Sequence, residues 1–178
     1  VHGTDINISG GDIQASSGDD GVHADNVLTI TDGIINITDS YEGLEAYDIE
    51  IKGGNIHVVS SDDGFNAAGG NDGSGDSNPG GWNPGGNWRG GGMGGSSTGI
   101  LNISGGYIYI RAEGDGIDSN GNITISGGTV IVCGPTRGGN GIFDKGDGNY
   151  TMTFTGGTVF GIGSSDMMET PSTSNGKY

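Results

Sequence analysis

The stretch Leu101-Asn-Ile-Ser-Gly-Gly-Tyr-Ile-Tyr-Ile110 places two short runs of alternating apolar residues around a Gly-Gly pair. Alternation with a period of two predicts β-strands, and the Gly-Gly pair predicts a turn between them. A repeat of this length cannot bury its own apolar side, so we expect its copies to stack on one another. Further copies of the pattern lie at residues 5–15, 28–37, 49–58, 123–132 and 152–160.

The spacing of the turns indicates how the copies stack. Gly11 and Gly33 are 22 positions apart, and Gly33 and Gly54 are 21 apart. This spacing predicts an all-β fold, a right-handed parallel β-helix (solenoid) of about six rungs of 21–22 residues, with the hand taken from the general rule for parallel crossovers. We expect one domain over residues 1–178, with an inserted loop at 69–98. The first and last rungs have no obvious cap, which favours a piece of a longer solenoid.

The alternation also predicts which side chains point inward. Glycines at the turns are expected to supply positive φ angles. The predicted inward residues are Ile6, Ile8, Leu28, Ile30, Ile49, Ile51, Leu101, Ile103, Ile123 and Ile125 before the turn, and Ile13, Ile35, Ile37, Ile56, Val58, Ile108, Ile110, Val130 and Val132 after it.

The chain is strongly acidic, with a net charge of −16 and only six Lys and Arg residues. This balance disfavours nucleic acid and anionic membrane surfaces as partners, because both require a basic face. No apolar run is long enough to span a bilayer. Cys133 is the single cysteine and is interpreted as a small structural residue. Acidity, the solenoid form and the lack of reactive thiols favour an extracellular or cell-surface location. The oligomeric state stays open.

A second motif follows each turn and carries acidic or amide residues on both sides of an inward apolar residue. Its first four copies are Asp19-Asp-Gly-Val-His-Ala24, Tyr41-Glu-Gly-Leu-Glu-Ala46, Asp62-Asp-Gly-Phe-Asn-Ala67 and Gly114-Asp-Gly-Ile-Asp-Ser119. The fifth copy, residues 139–144, is degenerate; the apolar residue after Gly, here Ile142, is again expected to point inward. Stacking predicts one ladder of Asp20, Glu42, Asp63 and Asp115, and beside it a ladder of His23, Glu45, Asn66 and Asp118.

These ladders predict bound Ca²⁺. Stacked carboxylates about 5 Å apart repel, and these columns contain no Lys or Arg to offset the repulsion. Ca²⁺ accepts about 6–8 oxygen ligands, whereas a set with a single His and no Cys suits Zn²⁺ poorly. The preferred site uses Glu42, Glu45, Asp63 and Asn66, Asp115 and Asp118 form another with an unidentified neighbour, and Asp62 and Asp19 are secondary candidates. The alternative is that Asp-Gly only serves corner geometry, which leaves the second acidic or amide position unexplained.

The inserted loop and one strand supply candidate sugar-binding residues. Trp82, Trp88 and Arg89 lie in the Gly/Asn-rich insertion, and indole rings stack on the C–H faces of sugars. The alternative is that the tryptophans only anchor the loop. Tyr107 and Tyr109 alternate with inward isoleucines and are expected to point outward as a second platform, with solvent-side sheet packing as the equal alternative.

The Gly-Gly turns, the Asp-Asp-Gly-apolar-x-Ala motif and the Gly/Asn/Trp insertion together resemble the secreted clostridial carbohydrate-binding proteins with a polysaccharide-lyase-like β-helix. The resemblance covers nearly the whole chain. It implies Ca²⁺ between rungs, binding of plant cell-wall polysaccharide such as cellulose and acidic sugars such as polygalacturonate, and a role at the cell surface. We therefore expect a non-catalytic, calcium-dependent carbohydrate-binding protein.

Two other classes of function stay open. In a Ca²⁺-dependent, pectate-type polysaccharide lyase the base would be Lys145, which follows the degenerate fifth copy of the acidic motif. A structural or adhesive solenoid would need no Trp-bearing insertion. The outward column Asn7, Thr29, Glu50, Asn102, Thr124 and Thr153 is too mixed for an ice-binding plane.

Overall fold

The computed structural model describes residues 1–67 and 98–174. Within these ranges the chain is all-β and contains no helix, and every strand pair is parallel. The strands are β1 (His2–Ala15), β2 (Val22–Ile37), β3 (Leu44–Ile51), β4 (Asn55–Ser60), β5 (Phe65–Ala67), β6 (Leu101–Ile103), β7 (Tyr107–Ala112), β8 (Ile117–Ser119), β9 (Ile123–Ile125), β10 (Thr129–Cys133), β11 (Phe143–Lys145), β12 (Met152–Phe154), β13 (Thr158–Ile162) and β14 (Thr173–Ser174).

Each strand segment pairs with the equivalent segment of a neighbouring repeat, which produces three stacks. The pre-turn stack contains the segments before each turn, the post-turn stack contains those after it, and the acidic stack contains those that begin in the acidic motif. The long strands β1 and β2 bend and contribute to all three stacks. The central registers of the three stacks are Leu28–Ile49–Leu101–Ile123, Ile35–Ile56–Ile108–Val130 and Val22–Leu44–Phe65–Ile117.

This pairing between repeats is that of a solenoid-like fold, so the all-β, parallel and solenoid part of the prediction is confirmed. The right-handed coil and the number of rungs stay predictions. Strands β3, β4 and β5 pair directly with β6, β7 and β8. The repeats on either side of residues 68–97 are therefore stacked neighbours, and the inserted segment does not interrupt the three stacks.

The core is the space between the stacks, filled by the predicted inward columns. Most of these side chains are completely buried, including Leu28, Ile51 and Ile108. Ile6 and Ile13 are only partly buried, because β1 pairs with β2 alone among the described strands. Burial of apolar area at about 25 cal/mol per Å² makes these columns the main stabilising contribution to the fold.

Glycine is required in the repeat for two different physical reasons. The second turn residue, as at Gly54 and Gly106, has a positive φ angle, as expected. The glycine of the acidic motif has no positive φ angle, and glycine is required there because a side chain would have no space. A Cβ on Gly43 would lie within 3.0 Å of Val58 Cγ1 and of the Gly64 carbonyl oxygen. Gly21, Gly64 and Gly116 are pressed in the same way against an inward side chain and the carbonyl of the next repeat.

We expect Gly43→Ala to destabilise the protein by about 1–3 kcal/mol or more, because the added methyl group overpacks a corner closed on one side by backbone. Thermal unfolding followed by circular dichroism measures the effect as a Tm lower by several degrees. Gly18→Ala is the matched control, since a Cβ there meets nothing within 4 Å. Equal Tm values for the two variants would contradict the close-approach explanation.

Candidate functional site

The register of the acidic stack brings the predicted ladder residues together. In the second ladder His23 pairs with Glu45, Glu45 with Asn66, and Asn66 with Asp118. In the first ladder, backbone hydrogen bonds from the following glycines connect consecutive members. Gly21 N donates to Glu42 O, Gly43 N to Asp63 O, and Gly64 N to Asp115 O. Asp115 and Asp118 thus stack on Asp63 and Asn66, which identifies the neighbour that the sequence left open.

The aspartates of the first ladder also hold the corner between repeats. Asp20 Oδ1 accepts the backbone N–H of Glu42 at 3.3 Å, and Asp63 Oδ1 accepts that of Asp115 at 2.6 Å. Asp115 Oδ1 accepts the N–H of Gly141 in the same manner. Corner geometry therefore explains part of the preference for aspartate at these positions. One oxygen of each of these carboxylates accepts a backbone N–H of the next repeat.

The centre of the two ladders is buried although its side chains are polar. Glu45 is 0% exposed, and Glu42 and Asn66 are also buried. Asn66 Nδ2 donates to Glu42 Oε1 at 2.7 Å, while Asn66 Oδ1 is buried without a hydrogen-bond partner among the described residues. Burial of a polar oxygen without a partner is costly, and a cation held by this oxygen would remove the cost.

Burial and mutual repulsion raise the pKa values of the neighbouring carboxyls. Desolvation, followed by the charge of Asp118, raises the pKa of Asp63 to about 9. Desolvation and the charge of Asp144 raise the pKa of Asp118 to about 7. Desolvation raises the pKa of Asp115 as well. Positive charge placed among these carboxyls would lower their pKa values again and favour their ionised forms.

The secondary candidates Asp62 and Asp19 differ from each other in position. Asp62 Oδ1 and Asp63 Oδ1 both lie over Gly114, where a Cβ would meet them within 3.0 Å. Asp62 also accepts a hydrogen bond from Tyr41 and so raises the pKa of that phenol. Asp19 is exposed. Asp62 is thus part of the carboxylate cluster, and Asp19 lies at its rim.

The structure adds Asp144 to the second ladder and corrects the register of the fifth copy. Phe143, not Ile142, pairs with Ile117 and is buried, so Asp144 pairs with Asp118. Desolvation and the charge of Asp115 raise the pKa of Asp144 to about 6. Ile142 packs against the core as a partly buried side chain, but the inward position that pairs with Ile117 belongs to Phe143, one residue later than expected. The sequence signal was the pair Phe143-Asp144, which matches Phe65-Asn66 and the corresponding pair of the fourth repeat.

Lys145, the base of the lyase alternative, follows Asp144 on β11 and so lies beside the ladder. Its Nζ forms an ion pair with Glu169 Oε1 at 3.1 Å, and its backbone N donates to Glu169 Oε2 at 3.0 Å. The repeat pattern contains no signal for this contact, because Glu169 lies outside it. The lysine of the lyase alternative is therefore engaged in an ion pair.

The predicted sugar-binding residues fall into two groups. Trp82, Trp88 and Arg89 lie outside the described residues. Tyr107 is 47% exposed and Tyr109 is half-buried, both on β7 of the post-turn stack. Tyr109 stacks on His57 of β4 with ring centroids 4.9 Å apart and an interplanar angle of 6°. The post-turn stack therefore carries two aromatic rings packed face to face beside an exposed tyrosine.

The outer surface of the post-turn stack continues as an apolar and aromatic strip. Tyr109 pairs with Ile131, and Ile131 pairs with Phe160, which is exposed. Cys133, next along β10, is a free thiol whose Sγ lies 3.7 Å from the Tyr109 hydroxyl. The tyrosines were predicted from the alternation, whereas His57 and Phe160 were not, although both occupy outward positions of the same alternation.

The described residues contain no helix long and apolar enough to cross a membrane. Residues 1–77 match the model of a family described as carbohydrate-binding domain-containing protein. The match covers less than half of the 178 residues and supports a carbohydrate-binding role. No curated protein and no solved structure matches the chain.

The raised pKa values predict how stability depends on pH when metal ions are removed by a chelator. A carboxyl whose pKa in the folded state exceeds its unfolded value of 3.8 stabilises the fold fully below that value. The stabilisation is lost as the pH rises through the folded-state pKa. We therefore expect the Tm of the chelated protein to fall between about pH 5 and about pH 9, through the range set by Asp144, Asp118 and Asp63.

The substitution Asp118→Asn tests this origin, because Asn already occupies the paired position 66. It should flatten the fall in Tm and raise the Tm of the chelated protein near pH 8 by a few degrees. Asp5→Asn, at an exposed position of β1, is the control and should leave the profile unchanged. A chelated protein whose Tm does not depend on pH would show that ionisation of the buried carboxyls does not destabilise the fold.

Proposed function

We propose that this chain is a calcium-dependent, non-catalytic carbohydrate-binding protein that recognises plant cell-wall polysaccharide at the cell surface or outside the cell. The observation that carries the proposal is the match of residues 1–77 to a carbohydrate-binding family. Two surfaces of the fold carry side chains whose chemistry suits this function. The post-turn stack presents exposed rings, and the acidic stack presents oxygen ligands for a hard cation.

Calcium is proposed from the donor set of the acidic stack. Carboxylate and amide oxygens from neighbouring repeats lie in register, and Ca²⁺ binds about 6–8 oxygens with flexible geometry. The described centre consists of Glu42, Asp63, Asn66 and Asp118, with Glu45 directly beside it. Asn66 Oδ1 is a buried acceptor whose need a cation would meet. Ca²⁺ also supplies the positive charge that lets the raised-pKa carboxyls ionise at neutral pH.

The two surfaces suit different polymers. The exposed ring of Tyr107, beside the stacked Tyr109–His57 pair, offers an aromatic surface to the C–H groups of a neutral glucan such as cellulose. An acidic polymer such as polygalacturonate is repelled by a net charge of −16 unless a divalent cation lies between carboxylate and carboxylate. We propose that Ca²⁺ at the rim of the acidic stack provides this bridge.

The lyase alternative is disfavoured by the surroundings of its base. Lys145 lies beside Asp144, as that alternative requires, but its ammonium group is paired with Glu169 and only partly exposed. A base must have its amine free to reach the substrate, whereas the Lys145 amine is already engaged by the Glu169 carboxylate.

We expect Ca²⁺ to raise the Tm of the chelated protein, because an ion that binds only the folded state adds about 2.7 kcal/mol at a hundredfold excess over its Kd. Asp63→Asn, within the centre of the acidic stack, should weaken this shift. Asp166→Asn, an exposed carboxylate near the other end of the chain, should leave the shift unchanged. Differential scanning calorimetry with and without Ca²⁺ makes the measurement. A Tm that does not respond to Ca²⁺ would remove the calcium part of the proposal.

The binding surfaces are tested by pull-down on insoluble cellulose and on polygalacturonate gel, with Ca²⁺ and with a chelator. We expect the double substitution Tyr107→Ala/Tyr109→Ala to lower cellulose binding at least about tenfold, by loss of ring stacking. Thr124→Ala/Thr153→Ala, an outward pair on the pre-turn stack, is the control. Binding to polygalacturonate should require Ca²⁺ throughout.

A parallel assay follows the ultraviolet absorbance of unsaturated uronate to detect lyase activity. No rise is expected. A Ca²⁺-dependent rise that Lys145→Ala abolishes would replace the binding proposal by the lyase. Absence of binding to both polymers would favour the structural solenoid.

A further inference from the structure

The second ladder of the acidic stack changes its chemistry toward β1. His2 pairs with His23, so two imidazoles occupy the positions that carboxylates and an amide occupy in later repeats. Their ring centroids are 4.7 Å apart. Asp25 follows His23 by two positions on β2 and shares its outward side. This end of the ladder therefore gathers two nitrogen donors and one carboxylate, a set different from the all-oxygen centre.

We propose that His2, His23 and Asp25 form a binding site for a borderline divalent transition-metal ion such as Zn²⁺. One ligand atom of each residue lies within 4.8 Å of the other two. His2 Nε2 is 3.2 Å from Asp25 Oδ1, and His23 Nε2 is 3.7 Å from the same oxygen. Tetrahedral Zn²⁺ with nitrogen and oxygen ligands separates neighbouring ligand atoms by about 3.4 Å. The two measured distances lie on either side of this value.

The surroundings of His23 orient it as a metal ligand. Its Nδ1 lies 3.0 Å from Asp20 Oδ2 and also contacts Glu45 Oε2. Both neighbours are carboxylate oxygens and can only accept, so Nδ1 carries the proton and donates. In the neutral ring this leaves the lone pair on Nε2, the nitrogen that faces Asp25. A carboxylate that holds the far nitrogen of a histidine is the usual outer partner in zinc sites.

The exposure of the three residues fits a site that solvent ions can reach. The side chains of His2 and Asp25 are 70% and 47% exposed, while His23 is 17% exposed and held from below by buried carboxylates. Three protein ligands leave a fourth position for water or an external ligand. Two imidazoles select Zn²⁺ and its neighbours over Ca²⁺, which prefers oxygen alone. The proposal is independent of carbohydrate binding and of calcium at the centre of the stack.

The test is a calorimetric titration of tag-free protein with Zn²⁺ in a buffer that contains saturating Ca²⁺. The excess Ca²⁺ occupies oxygen-only sites, so that the signal reports nitrogen-containing ones. We expect one Zn²⁺ per chain. His2→Gln and Asp25→Asn should each lower the affinity at least about tenfold, the lower limit seen even for outer partners of metal ligands. Both residues are exposed, so their variants should fold, which thermal unfolding checks.

The matched control is His57→Gln, which removes the third histidine of the chain from the post-turn stack and should leave Zn²⁺ affinity unchanged. Asp20→Asn tests the orienting role and should weaken binding by about 10–100-fold. Nitrogen NMR of the imidazoles adds a separate readout, since Zn²⁺ should shift Nε2 of His23 and leave Nδ1 protonated. Absence of Zn²⁺ binding, or equal affinity in the His2→Gln and His57→Gln proteins, would overturn the proposal.

Discussion

Parallel pairing between neighbouring repeats is the constraint on which the rest of the structure depends. It converts each position of the repeat into a column whose members lie about 4.8 Å apart. For Ile49 and Leu101 this proximity is favourable, since each buries the apolar surface of the other. For Asp118 and Asp144 the same proximity is unfavourable, because both carboxyls lose water and Asp118 faces the charge of Asp144. The hydrophobic core and the acidic site therefore have one geometric cause, and the stability of the columns holds the carboxylates where repulsion alone would separate them.

The strands and the inward columns could be predicted because their signals are local. Alternation around Gly-Gly identifies each strand pair, and the repeat length identifies which side chains stack. The strands on either side of residues 68–97 pair by the same rule, because the repeat pattern resumes in the same register after this segment. The positive φ angle expected of the turn glycines does not explain the glycines of the acidic motif. At Gly43 the requirement comes from the next repeat, and a single repeat read alone does not contain that information.

The parts of the site that sequence reasoning missed lie where the period fails. A longer connection precedes β11 and moves the motif by one residue, so Asp144 rather than Phe143 occupies the ladder position. Glu169 pairs with Lys145 from a segment that has no equivalent in other repeats. His2 matches no motif, because the acidic motif is recognised by the acidic residue and glycine ahead of its ladder position and His2 is not preceded by such a pair. In each case the residue lies in or beside the stack in the structure, but its spacing in the sequence differs from that of the repeat.

In the acidic stack, the side chains that determine which ion binds can change without a change in the fold. Along one ladder the backbone pairing is constant from His23 to Asp118, while the side chain at the ladder position changes between imidazole, carboxylate and amide. A change from carboxylate to imidazole at this position leaves the inward neighbours Val22 and Leu44 in place, so the core does not restrict it. The ions that such a stack attracts are then set by which two repeats are adjacent. Oxygens next to oxygens favour a hard cation, and imidazole next to imidazole favours a softer one. A solenoid can in this way hold chemically different sites one repeat apart. The apolar columns beneath these sites supply the stability that offsets the repulsion between the grouped charges.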